Sequence, residues 1–228
     1  MTPFPLHKGL YGRPAAYPEA CDPLEEVAAD QPADAAAALG FALGRLMTAP
    51  TGRPLALVTT PLWLRERGWP FARGLMRWGA APERVIWVRA AKEDQALWAL
   101  EEALKSGAVA GGLATIEHPP FVATRRLDFA ARAGGALGLL VRAGPAEDLS
   151  AARRRWRIAS RPSATAEFDA AAPGASRLRA ELVRRRDGPP GGWDLEQDDE
   201  TGRLRLDAEL ADQRVAAAGP GRPAHAAA

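Results

Sequence analysis

The residues best placed to do chemistry lie in a strand, turn and helix over residues 24–47. A P-loop protein cradles phosphates in such a turn. Glycines allow close backbone approach, a lysine reaches the β- and γ-phosphates, and Ser or Thr ligates magnesium. Here the connection reads Ala28-Ala29-Asp30-Gln31-Pro32-Ala33-Asp34-Ala35-Ala36, with neither glycine nor lysine. Pro32 removes an amide, Asp30 and Asp34 repel phosphate, and Ala35 and Ala36 offer no hydroxyl to a metal. The expectation is a degenerate P-loop at Ala29, Asp30, Gln31, Pro32, Ala33, Asp34, Ala35 and Ala36 that holds no nucleotide by the usual mechanism. The strand over residues 109–115 should end in an acidic residue that helps hold magnesium. Ala114 and Thr115 stand there, and Glu117 comes late, as a solvated loop residue. His118 has no serine or cysteine nucleophile beside it, and Cys21 is the only cysteine, which excludes an internal disulfide and a cysteine-based zinc site. No catalytic residue, cofactor or metal is expected.

Two runs are densely basic, Arg153-Arg154-Arg155-Trp156-Arg157 and Arg184-Arg185-Arg186. On one face they would contact DNA phosphates and release counterions, with Trp156 stacking on a base. Strand alternation, however, sends only about half of each run to one face. Asp187, Glu196, Asp198, Asp199 and Glu200 also lie close enough in sequence to neutralise the second run across a hairpin. A salt-bridged sheet face is therefore preferred to DNA contact. Arg125 and Arg126 open a helix, where positive charge opposes the macrodipole, so a compensating carboxylate is expected from Glu117 or from a partner. Trp63, Trp69, Trp78 and Phe71 cluster within one connection. They are core packing unless two or more are exposed, in which case they form an aromatic anchor for another protein.

The elements that must position these residues follow from the pattern of apolar residues. Prolines at 3, 5, 14, 18 and 23 make residues 1–23 an irregular arm. Strands are predicted over 24–28, 55–60, 84–90, 109–115 and 136–142, and helices from about Asp34, with Asp34 as N-cap, and over 71–79, 92–106 and 122–133. Strand–helix–strand units of this length imply right-handed crossovers and a mainly parallel sheet with helices on both faces. After Gly144 the pattern becomes strands at 156–163, 177–186, 193–198 and 203–207 with hairpin turns between them. The predicted organisation is an arm at 1–23, an α/β core at 24–145, a small antiparallel β extension at 146–208, and a low-complexity, disordered Ala/Pro-rich tail at 209–228.

Composition sets the remaining bounds. Of 228 residues, 47% are hydrophobic, enough for a core, and the net charge is only +2 although 27 of the 30 cationic side chains are arginine. The chain is no polycation, and DNA binding would need its arginines gathered on one face. Residues 1–12 lack the pattern of a signal peptide, and apolar stretches such as 35–47 are too short to cross a bilayer. A soluble, cytoplasmic protein is expected.

Over residues 24–206 the chain resembles the ImuA family, the RecA-like proteins of bacterial inducible-mutagenesis cassettes. The strongest pieces are WALEEALKSGAV (98–109), ATRRLDFAARAGG (123–135) and, most specific, RAELVRRRDGPPGGWDLEQDDETGRLRL (179–206). The resemblance implies a RecA-type fold without ATPase activity. It also implies a role in the SOS response beside ImuB, an inactive polymerase homologue, and an error-prone DnaE-type polymerase. A RecA-type core also offers surfaces with which RecA protomers pack, so a RecA filament is a further expected partner. The division inhibitor SulA is a more distant relative, and inhibition of cell division by protein binding is the alternative function. Two departures from the family pattern stand out: no helical segment precedes the first strand, and the acidic residue often found after the 109–115 strand is absent at Ala114.

Overall fold

Strand β1 (Leu24–Ala29) is buried along its whole length, Glu25 and Glu26 included. It lies between β5 (Leu137–Arg142) and β6 (Arg154–Arg161), parallel to both. The structure, a computed structural model, describes residues 17–207 apart from 50, 51, 78, 79, 167, 170, 187, 199, 200 and 202. The expected tail at 209–228, most of the expected arm, Trp78, Asp187, Asp199 and Glu200 lie outside the described residues.

One sheet of nine strands runs β3-β2-β4-β5-β1-β6-β7-β8-β9. Strands β2 (Leu55–Thr59), β3 (Val85–Arg89) and β4 (Gly111–Thr115) continue the parallel half. Strands β7 (Arg177–Arg185), β8 (Gly191–Gln197) and β9 (Leu204–Leu206) add an antiparallel meander. This is the expected α/β architecture, a mainly parallel sheet with antiparallel C-terminal strands. The change of direction falls one strand later than predicted: β6, assigned from its turn-rich surroundings to the antiparallel extension, pairs parallel with β1 and antiparallel with β7. Core and extension are one continuous sheet.

Strand alternation divides the apolar side chains between two layers. Leu55, Leu57, Leu113, Leu139 and Trp156 face the layer of α1 (Ala35–Leu46), while Ala56, Val58, Ala114 and Leu140 face α4 (Glu93–Lys105) and α5 (Phe121–Gly134). Helices α4 and α5 approach closely at Gly134, where a Cβ would overlap the Leu104 carbonyl oxygen, and Gly135 ends α5 with a positive φ of 59° that disfavours any side chain. The predicted helix over 71–79 is shorter, α3 (Ala72–Arg77), and is preceded by α2 (Pro61–Arg67), which periodicity did not reveal. Its signal was Thr60-Pro61: the Thr60 hydroxyl accepts from the Trp63 amide at 3.3 Å, and Pro61 takes the first helical position.

Candidate functional site

The turn between β1 and α1 is closed by its own groups. The Asp30 amide donates to the Ile158 carbonyl of β6 at 2.8 Å, and the Asp34 amide donates to the Gln31 carbonyl at 2.8 Å. Pro32 opens a single 3-10 turn at Pro32–Asp34, and Arg67 Nη1 donates to the Pro32 carbonyl. Asp34 is buried. It does not cap α1 with its side chain as expected; its Oδ1 instead accepts from the Ser160 amide of β6 at 2.8 Å. A carboxylate thus occupies the inner side of a turn that a phosphate would need electropositive, and two of its amides are already bonded.

The neighbouring strand ends are filled as well. Thr59 of β2 and Thr115 of β4 line a cavity of only about 10 Å³ with Leu39, Leu43, Trp63 and Leu75, room for about one water. Glu117 is not the solvated loop residue that was expected. One of its oxygens accepts from the Ala143 amide at 3.2 Å, and its own amide donates to Glu93, so it straps the ends of β4 and β5 to α4. Among the described residues no group of three or more His, Cys, Asp or Glu is arranged to hold a metal ion.

The two basic runs meet in the sheet. Across β6 and β7, Arg154 pairs in register with Arg185 and Arg155 with Arg184. Like charges so placed repel, and β1 supplies the neutralising charge from behind. Arg154 lies 2.8 Å from Asp22 and 3.6 Å from Glu25 and donates to the Ala20 carbonyl. Arg155 donates to Glu26 at 3.1 Å and to the Ala146 carbonyl. Glu26 also accepts from Arg142, which in turn bridges to Asp148. Of the acidic residues expected to neutralise the second run, Glu196 pairs with Arg177 and Arg205, and Asp198 with Arg205.

Trp156 is only 1% exposed, and its indole N–H donates to Glu25 at 2.8 Å, so it offers no face for a base to stack on. Arg154 is buried beside it. Arg153 lies 4.0 Å from Asp128. Of the second run, Arg184 donates to the Ser150 carbonyl and is exposed, Arg185 is half-buried and Arg186 is exposed. Arg125 is exposed, whereas Arg126 pairs with Glu101 of α4 at 2.8 Å. The carboxylate that offsets the start of α5 is therefore Glu101 rather than Glu117.

Sequence reasoning missed Arg45. This α1 residue is buried in the α1 layer and donates from Nη2 to Glu25 Oε1 at 2.7 Å and from Nε to Oε2 at 3.1 Å. It also donates to the carbonyls of Pro18 and Ala20, and its guanidinium lies 5.2 Å from the centre of the Trp156 ring. Burial alone would lower its pKa, but the Glu25 carboxylate outweighs that and raises it. The group is a structural hub. The one cue in the sequence was an arginine at the 3.6-residue spacing of an otherwise apolar face.

The aromatic cluster divides. Trp63 is buried, while Trp69 and Phe71 are 59% and 71% exposed. Trp69 meets Trp87 of β3 with ring centroids 6.1 Å apart. The condition set for an aromatic anchor, two or more exposed rings, is met.

Fold and site together define an α/β protein whose β1–α1 turn is closed by its own proline and carboxylate. No protein-family model matches the chain. Protein ImuA of Caulobacter vibrioides, in each of two strains, is 41% identical over 175 residues, covering 71% of this chain and 71% of that protein. The cell division inhibitor SulA of Edwardsiella piscicida is 33% identical over 105 residues, 45% of this chain and 61% of that protein. The crystal structure of SulA from Pseudomonas aeruginosa is similar at a TM-score of 0.43 and 26% identity, covering 53% of this chain and 97% of that one. The chain belongs to the ImuA family. Among the described residues no helix is long and apolar enough to cross a membrane.

Proposed function

We propose that the chain is a non-catalytic RecA-like accessory protein of SOS-induced mutagenesis. It works by binding other proteins, as an adaptor for error-prone translesion synthesis with an ImuB-type polymerase homologue, a DnaE-type polymerase and RecA. The observation that carries the reading is the β1–α1 turn, where Pro32 and the buried Asp34 stand in the place of phosphate-binding glycines and lysine. Kinship with ImuA supports the cellular setting. The burial of Arg154 and Trp156 argues for protein contact over DNA contact through the first basic run.

Two measurements test it. Calorimetry of the full chain with ATP and magnesium should give no binding heat; saturable binding overturns the non-catalytic reading. A deletion strain should lose damage-induced mutation and regain it with the intact gene. If mutation is unchanged while overproduction yields filamentous cells, the SulA-like inhibitor of division replaces the adaptor.

A further inference from the structure

The edge strand β3 carries a surface unlike the rest of the sheet. It pairs only with β2 among the described residues, so its outer backbone edge has no strand beside it. Natural edge strands are usually blunted by charge or shortness. The opposite edge, β9, follows that rule, with three residues and Arg205 paired to Glu196 and Asp198. Strand β3 does not: Ile86 is 47% exposed and Trp87 38%. These neighbours point to opposite faces of the sheet, so each face of the strand carries a partly exposed apolar side chain. On the Trp87 face the apolar surface extends outward through the exposed Trp69, whose ring centroid lies 6.1 Å from that of Trp87. A ligand lying on one face would leave the other uncovered. A strand added alongside β3 covers both and satisfies the backbone edge.

Charge selects the occupant. Residues 61–89 hold six arginines against two glutamates, and Arg65, Arg73 and Arg89 are exposed. A second copy of the chain would set this positive surface against itself. A nucleic acid would satisfy the charge but neither the backbone edge nor Ile86 on the far face. We propose that β3 receives an extended segment of a partner protein with an apolar middle and acidic ends, added as a tenth strand so that neighbouring apolar side chains meet Trp87 and Trp69 on one face and Ile86 on the other. This rests on the reading of the protein as an adaptor and gives that role a surface.

The test is fluorescence anisotropy of the full chain with a labelled nine-residue peptide of five valines flanked by two glutamates at each end. Saturable binding is expected, weakened at least about tenfold by Trp69→Ala with Trp87→Ala, by Ile86→Lys, and by replacing the peptide's glutamates with lysines. All three protein positions are exposed, and unchanged urea midpoints will show that the variants fold. The proposal is overturned by absence of peptide binding, by equal binding of the lysine peptide, or by an Ile86→Lys variant that binds normally. It is equally overturned if a twenty-nucleotide oligothymidylate displaces the peptide, or if sedimentation shows a dimer that Trp69→Ala and Trp87→Ala dissolve. A chain that binds no peptide yet restores damage-induced mutation removes this surface and leaves the adaptor function standing.

Discussion

Arg45 and Glu25 face each other inside the protein through two parallel hydrogen bonds, Nη2 to Oε1 at 2.7 Å and Nε to Oε2 at 3.1 Å. A forked contact of this kind ties α1 to β1 and, through the carbonyls of Pro18 and Ala20, fixes the segment that leads into the sheet. Glu25 also receives the Trp156 indole, so one carboxylate joins α1, β1 and β6.

Removing either partner leaves the other buried without its forked contact, the remaining arginine beside Glu25 being Arg154 at 3.6 Å. Glu25→Gln and Arg45→Met are each expected to destabilise the fold by about 3–5 kcal/mol. The double variant should lose less than the sum, because neither charge is then stranded. Urea denaturation followed by tryptophan fluorescence measures all three.

Asp34 is expected to matter for the sheet and not for a ligand. Asp34→Ala leaves the Ser160 amide without its acceptor and should cost about 1–3 kcal/mol in the same denaturation experiment. A loss near zero would mean that the link from the turn to β6 contributes nothing.

Cys21 should be a sluggish nucleophile. Burial pushes its thiol pKa up, and the lowering by nearby Arg45 only partly opposes this. At pH 8 iodoacetamide should therefore alkylate the folded chain more slowly than the urea-unfolded chain. A raised folded-state pKa contributes stability that is full below the ordinary thiol value and lost as pH rises through the higher folded value. Tyr17, raised chiefly by burial, acts in the same direction. The urea midpoint should accordingly fall above about pH 9.

At the other end of the sheet the sign reverses. Burial would raise the Glu196 pKa, but hydrogen bonds from Arg205 and Arg177 outweigh it and hold the carboxyl below its ordinary value of 4.5. A depressed pKa contributes stability that is present above the ordinary value and lost as pH falls through the lower folded value. Glu196→Gln should cost about 1 kcal/mol at pH 7, with the gap to the parent closing below pH 4.5. A gap that is constant down to pH 3 would show that the carboxylate charge is not what Glu196 contributes.

The parallel half of the fold was legible because strands such as Leu55–Thr59 and Leu137–Arg142 are apolar without interruption until their ends, the mark of a strand covered on both faces. The lack of glycine and lysine in the β1–α1 turn could likewise be read from residue types alone. The polar interior was not legible. The arginine partners of Glu25 (Arg45 and Arg154) and of Glu26 (Arg142 and Arg155) lie far along the chain, and nothing local distinguishes a buried carboxylate from an exposed one. The same distance hid the fate of the arginine run at 153–157: alternation predicted that half would turn inward, but not that β1 would hold two glutamates there to receive it. Strand β6 was grouped with the antiparallel extension because of the turn-rich sequence around it, and its parallel partner, which lies far back in the chain, is the first strand of the fold.

That pairing has a consequence for how the protein comes into being. Strand β1 leaves the ribosome first among the strands, yet both strands that flank it are encoded more than a hundred residues downstream. Until β5 and then β6 are synthesised, its two glutamates have no arginine from either strand and its backbone has no neighbour. The centre of the sheet thus cannot close until β5 and β6 emerge, and a nascent chain halted before residue 137 holds its earliest strand open to any chaperone that reads an unpaired edge.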